Sequence, residues 1–357
     1  MRSDADFATG ERAGLLTTQS EDRKSDEDAS EQSQGTVTGP LLIILATASF
    51  AGAHVFAKMV LDGGLSAQNL LACRGVLGYL CVTAPAQFST PCESGWGRAE
   101  DNAVVRALDW LERWLEMATH VERRVWLRSL VGVTTELLLL ASYSLVGLTL
   151  ADTFAIFMAT NTISALVLSA LCLREPPGVA QVCGSAASMV GIALITSPTF
   201  LFGHSGGAAA RPTVLGMAVA TTAGVFNGYF IVLARTLRTT SAAMLLANYM
   251  CVMAVLAFTL SLVAEAVYGP PASSASSLLW LIPHVLTSLF GHFLFARGCK
   301  TERVSIVVLL GNLELVFAYL FDWSILHEPM SRSLLLGGVA TIAGSMIGQA
   351  RCCSRSR

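Results

Sequence analysis

Charge is scarce along most of this chain of 357 residues, since only 13% of its positions are Asp, Glu, Lys or Arg. That is about half the roughly 25% usual in a soluble domain, so a water-soluble globule is excluded. The nine cysteines are odd in number, and most, such as Cys73, Cys172 and Cys251, lie inside apolar runs. A disulfide framework and a zinc module both need a spacing that is absent here. His284 and His292 share a run but lie too far apart, with no nearby thiolate, to suggest a metal site. There is no HExxH, no paired catalytic Asp motif and no acyltransferase-like His-x4-Asp, which argues against a membrane-embedded enzyme. No Walker motif is present, so ATP is not a direct energy source. No cofactor is implied, and the net charge of −2 gives no reason to expect a nucleic-acid partner. The first residues lack the charged-then-apolar order of a signal peptide and the acid-poor character of a transit peptide.

Apolar length is what the chain has in abundance. Hydrophobic residues make up 53% of it, the mean hydropathy is +0.59, and the runs reach the roughly 20 residues that a membrane helix needs. Ten such segments fall near 41–61, 67–88, 129–148, 152–172, 178–197, 213–235, 242–264, 278–296, 304–325 and 332–350. Pro40 suits the first turn of the first helix, where its missing N–H leaves nothing unpaired. The expected class is an all-α integral membrane protein with the lipid bilayer as its solvent.

The most informative stretch occurs twice. Leu173, Glu175, Pro176, Gly184 and Gly191 recur without a gap as Leu326, Glu328, Pro329, Gly337 and Gly344, each pair 153 residues apart. Each copy is an apolar run, an L-x-E-P break and a second run rich in Gly and Ala: a helical hairpin, duplicated. The earlier helices repeat more faintly. Ala51-Gly52 resembles Ala223-Gly224, and Ser66-Ala67 with Leu70-Leu71-Ala72 matches Ser241-Ala242 with Leu245-Leu246-Ala247. Five helices followed by five similar ones must cross the membrane in opposite senses, giving two inverted five-helix repeats. These occupy residues 40–197 and 213–350, with a linker at 198–212.

The cations give an independent reading of orientation. One side receives the arginines between Arg98 and Arg128, then Arg174, Arg235, Arg238, Arg297, Lys300, Arg303 and the C-terminal arginines. The other receives only Lys58, Arg211 and Arg332. The positive-inside rule then expects both termini in the cytosol.

Residues 1–39 and 351–357 read as cytosolic tails, the first acidic, Ser/Thr-rich and unable to bury a core. Glu11, Leu15 and Leu16 have the form of an acidic dileucine signal for a sorting adaptor. Cys352 and Cys353 beside basic residues are candidates for palmitoylation. These features point to an endomembrane or vacuolar location, with the plasma membrane as the alternative. The long cytosolic loop 89–127 holds Val104, Leu108, Leu111, Leu115 and Ala118 at helical spacing, an amphipathic helix that packs on the bundle ends or lies in the headgroup plane.

At these residues the chain resembles the EamA-type members of the drug/metabolite transporter superfamily. FAGAHVFAKMVLDGGLSAQNLLACRG from Phe50 is similar to the family's passage from helix 1 to helix 2. NLELVFAYLFDWSILHEPMSRSLLLGGVATIAG from Asn312 is similar to its last hairpin. The resemblance runs from about residue 41 to 350. It departs at Phe50-Ala51, where a Trp-Gly pair is common, and in the long second loop. What it implies is carriage of a small-molecule substrate of unspecified identity, and its relatives include nucleotide-sugar and sugar-phosphate carriers. A non-transporting receptor or scaffold is the other reading.

Polar groups in hydrocarbon usually face a cavity or a partner, because a charge at a helix centre costs about 2.5–3.5 kcal/mol on insertion scales. That singles out Glu314, mid-helix in the ninth segment, and Asn161, its repeat equivalent, as residues that face each other and bind substrate or a coupling proton. Glu136, His54 and Asn227 are also mid-helix. Arg74 attracts an anionic substrate, snorkels outward or pairs with Glu136. Ala340, Gly344 and Gly348 form a small-residue ridge suited to close helix contact, and a homodimer is allowed.

Overall fold

A computed structural model describes residues 38–88, 123–144, 150–196, 214–268, 275–325, 327 and 332–349. The dileucine residues Glu11, Leu15 and Leu16, the cysteines Cys352 and Cys353, the amphipathic stretch of the long loop, and Glu328 with Pro329 lie outside these residues. Among the described residues every regular element is a helix. In chain order they are α1 (Thr38–Asp62), α2 (Ala67–Phe88), α3 (Arg123–Ser144), α4 (Leu150–Cys172), α5 (Val179–Thr196), α6 (Val214–Thr236), α7 (Ala242–Tyr268) and α8 (Ala275–Thr301). There follow α9, counted here as one span (Val304–Ile325), and α10 (Arg332–Gln349). Eight of these, α1 and α3 to α9, are long and apolar enough to cross a membrane.

Helix ends differ from the hydropathy reading in a consistent direction. α3 starts at Arg123 rather than near 129, so Arg128, expected in a loop, is a buried helical residue. α7 and α8 likewise run beyond their apolar cores. Hydropathy marks only the stretch that prefers hydrocarbon, whereas backbone hydrogen bonding continues the helix through polar residues at its ends.

The repeated motifs have local physical causes. Ser66 Oγ accepts the Asn69 N–H at 3.2 Å and Ser241 Oγ accepts the Met244 N–H at 3.1 Å, so the matching serines cap α2 and α7 at their N-termini. The x of each L-x-E-P, Arg174 and His327, has a positive φ, 55° and 57° respectively. That left-handed residue is a common way to end a helix. After Arg174 the Glu175 N–H turns back to the Ser169 carbonyl at 3.2 Å, and Pro176 blocks continuation.

The motif glycines act where α5 crosses α10. A Cβ on Gly191 would lie 2.6 Å from the Gly337 carbonyl oxygen, and one on Gly337 would lie 2.6 Å from that of Gly191. Gly344 meets the Gly184 carbonyl at the same 2.6 Å, and Gly184 meets that of Gly344. The contact is therefore reciprocal between repeat-related positions, as a two-fold relation between the helices requires. Ser188 Oγ donates to the Thr341 carbonyl at 3.3 Å, and these two residues are also 153 apart. Only glycine lets the backbones approach this closely, which in a membrane replaces the hydrophobic drive by dispersion.

Candidate functional site

Eight of the described helices, all but α5 and α10, line a central cavity of about 230 Å³, to which both halves contribute. All six polar residues singled out in the helix centres line it: His54 on α1, Arg74 on α2, Glu136 on α3, Asn161 on α4, Asn227 on α6 and Glu314 on α9. Thr47 on α1, Thr135 on α3, Tyr249 on α7 and His284, Ser288 and His292 on α8 complete the polar lining, and Phe50, Phe154, Phe157 and Phe230 supply much of the apolar wall.

α9 carries Glu314 just past an interruption. The helix is interrupted at Asn312, between Val304–Gly311 and Leu313–Ile325. Ser345 Oγ of α10 donates to the Leu309 carbonyl at 2.9 Å, and Thr162 Oγ1 of α4 donates to Asn312 Oδ1 at 3.3 Å. A side chain that bonds a ladder carbonyl, as Ser345 does at Leu309, is a recognised cause of an interruption. Glu314 consequently stands in the first turn of the second piece, where the helix dipole favours a carboxylate. Its hydrogen bond goes to His54 Nε2 at 2.9 Å. The expected partner, Asn161, lines the same cavity, but its buried Oδ1 has no partner.

Asn161 is held by backbone approach rather than by hydrogen bonds from its own oxygen. Gly224 lies where a Cβ would be 2.7 Å from the Phe157 carbonyl and 3.0 Å from the Asn161 nitrogen. Ser164 Oγ, next along α4, accompanies this by donating to the Gly224 carbonyl at 3.2 Å. α6 thus sits directly on the α4 backbone beside Asn161.

A second cluster centres on Glu136. Arg74 Nη2 pairs with one carboxylate oxygen and the Tyr249 hydroxyl donates to the other. His292 Nε2 lies 3.8 Å from the latter oxygen and packs between Phe50 and Tyr249, with ring centroids 4.7 Å and 4.8 Å away. Arg74 also turns its Nε toward Met253 Sδ at 3.2 Å. Of the roles open to Arg74 in the sequence, pairing with Glu136 is the one this geometry displays. Tyr249 and His292 went unremarked as partners because a Tyr or His in an apolar run reads as core. The one usable signal was that both fall on helices opposite a buried carboxylate.

Among the described residues the two ends of the cavity differ. Its lining reaches Leu61 and Ala67, beside the α1–α2 turn where Gly64 has a φ of 90°. At the other end, which carries Glu175, the buried side chains of Val125, Leu237, Ala242, Leu245 and Ala296 close the bundle. The Arg128 guanidinium lies over the Phe230 ring at 4.3 Å, and Phe230 stacks on Phe295 with centroids 6.4 Å apart. Arg235 ties this end together, pairing with Glu175 Oε1 at 3.4 Å and donating to the Lys300 carbonyl. Lys300 donates in turn to the Thr240 carbonyl. Glu302, in the link between α8 and α9, has its carboxyl pushed above the ordinary range by burial, against the attraction of Arg235. Among the described residues no group of three or more His, Cys, Asp or Glu is placed to hold a metal ion.

Comparison with known proteins bears on this architecture. A solved structure described only as "Crystal structure of protein" superposes with a TM-score of 0.65 at 14% identity, covering 87% of this chain and 98% of its own. At that identity the likeness concerns the fold alone. No curated protein matches the chain. Residues 214–347, the second set of five helices, match the EamA-like transporter family. With eight apolar membrane-length helices, the chain is an integral multi-pass membrane protein whose second set of five helices is similar to the EamA-like transporter family.

Proposed function

We propose that the chain is a secondary carrier that moves a small metabolite by alternating access, with all ten helices crossing the bilayer and both termini in the cytosol. The observation that carries this reading is the cavity lined by polar groups from helices of both halves, reaching the α1–α2 turn and closed over by apolar side chains toward Glu175. A scaffold has no need of such a site, and a carrier built from inverted repeats holds its substrate there. On this orientation the α1–α2 end faces away from the cytosol, and the Glu175 end is the closed cytosolic gate.

Glu314 is the residue proposed to receive the substrate or a coupling proton, with His54 orienting it through the hydrogen bond and Asn161 across the cavity. Flux of a solute panel into proteoliposomes containing the purified chain tests the class: saturable, solute-selective uptake supports a carrier, and none from folded protein refutes it. Glu314→Gln keeps the size and removes titration. It is expected to leave folding intact and to abolish the pH dependence of flux, and an unaltered pH profile would make Glu314 structural.

A further inference from the structure

We propose that the cavity takes a small organic cation, a protonated amine carried on an apolar body, with the ammonium group seated at Glu314. The inference names a substrate class for the carrier proposed above and rests on that reading.

The argument is an inventory of which polar groups in the cavity are already matched. The guanidinium of Arg74 is committed to Glu136 and Met253. Both oxygens of Glu136 are engaged, by Arg74 and by Tyr249. An anionic substrate would therefore have to break an existing ion pair to find its cation, at the penalty of leaving a partly buried carboxylate alone. Glu314 is different. His54 donates one hydrogen bond to it, its side chain keeps 18% exposure, and no other cation is paired with it among the described residues.

Of the three unmatched buried atoms in the lining, Ser288 Oγ can donate or accept and the other two are acceptors. His284 donates through Nδ1 to the Ala53 carbonyl at 2.9 Å, which leaves its Nε2 as a bare acceptor without a donor. Asn161 Oδ1 is a second acceptor without a donor. Both side chains line the cavity and are over nine-tenths buried, at 3% and 6% exposure. A carboxylate oxygen, an imidazole nitrogen and an amide oxygen all await N–H donors, and buried acceptors left unmatched are costly. Aromatic walls, Phe154 beside His54 among them, suit both an apolar body and a cation over a ring face. The volume of about 230 Å³ lies below the roughly 300–1,000 Å³ typical of drug-sized ligands, so a small amine fits better than a nucleotide conjugate.

The test is calorimetric binding to the full-length protein in detergent micelles, with phenethylammonium, phenethyl alcohol and phenylacetate as a series of similar shape and different charge. The expected result is that the ammonium binds at least tenfold more tightly than the alcohol, that phenylacetate does not compete, and that Glu314→Gln loses about tenfold while Glu314→Asp retains most of the affinity. Phenylacetate binding as tightly as the ammonium, absence of ammonium binding, or an ammonium affinity indifferent to Glu314→Gln would overturn it. The charge series on the unaltered protein decides the matter even if a variant fails to fold. Because the readout is binding, ammonium binding without any flux would defeat the carrier reading alone, and saturable flux of anions without ammonium binding would defeat this inference alone.

Discussion

Replacing Glu175 by Gln tests whether the closed end of the cavity is latched by charge. The carboxylate lies 3.4 Å from Arg235, with side-chain exposures of 28% and 14%, so the pair is neither a solvent-screened surface bridge nor a fully desolvated one. Exposed pairs contribute about 0.2–1 kcal/mol, and partial burial places this one near the top of that range, about 1 kcal/mol. Gln still accepts a hydrogen bond, and Arg235 keeps its bond to the Lys300 carbonyl, so the latch weakens without the bundle losing its fold. A change of about 1 kcal/mol multiplies the population of the opened end roughly fivefold. Cys299 is a built-in reporter, since it sits next to Lys300 at 1% exposure and meets a thiol reagent only when this end opens. In a variant whose sole cysteine is Cys299, maleimide labelling is expected to run about five times faster with Glu175→Gln. The same reagent on a sole Cys183, exposed on α5, is expected to show no difference. An unchanged rate at Cys299 in folded protein would refute the assignment of this pair as a latch.

Three further outcomes are expected. Gly344→Val pushes methyl groups into the Gly184 carbonyl, 2.6 Å from the Cβ position; overpacking of this kind costs about 1–3 kcal/mol and lowers the thermal midpoint in detergent. Tyr249→Phe strips one donor from Glu136, and an unmatched buried carboxylate oxygen costs about 1–3 kcal/mol, read by the same melt. An epitope tag in the linker 198–212 is expected to be reached from the non-cytosolic side and one after Arg357 from the cytosolic side, so access to both from one side would end the ten-crossing topology.

The bundle was legible because its signals are local or periodic. Apolar runs of membrane length need no tertiary information, and the constant 153-residue offset located the L-x-E-P turns and the glycines before any contact was known. Arg174 and His327 share their left-handed backbone for the same reason. The cavity's polar residues were legible one at a time, because each is out of place in hydrocarbon. Their pairing was not. His54 and Glu314 are 260 residues apart, and the choice of His54 over Asn161 depends on how α1 lies against an interrupted α9. The start of α3 was misread because Arg123, Arg124 and Arg128 depress local hydropathy, although Arg128 can be buried over the Phe230 ring. The interruption at Asn312 had no proline to announce it, and the hydroxyl that reaches the α9 backbone there, Ser345 Oγ, belongs to another helix.

That break also makes the two halves unequal. If the repeats were identical, the state open on one side and the state open on the other would be mirror roles of the same two structures and would have equal free energy. Ala159 stands where the offset would put a counterpart of Asn312, and α4 runs unbroken from Leu150 to Cys172, whereas α9 is interrupted two residues before its carboxylate. The helices that carry the repeat-related residues Asn161 and Glu314 therefore differ in continuity. On the carrier reading proposed above, that difference lifts the equality of the two access states before any gradient is applied.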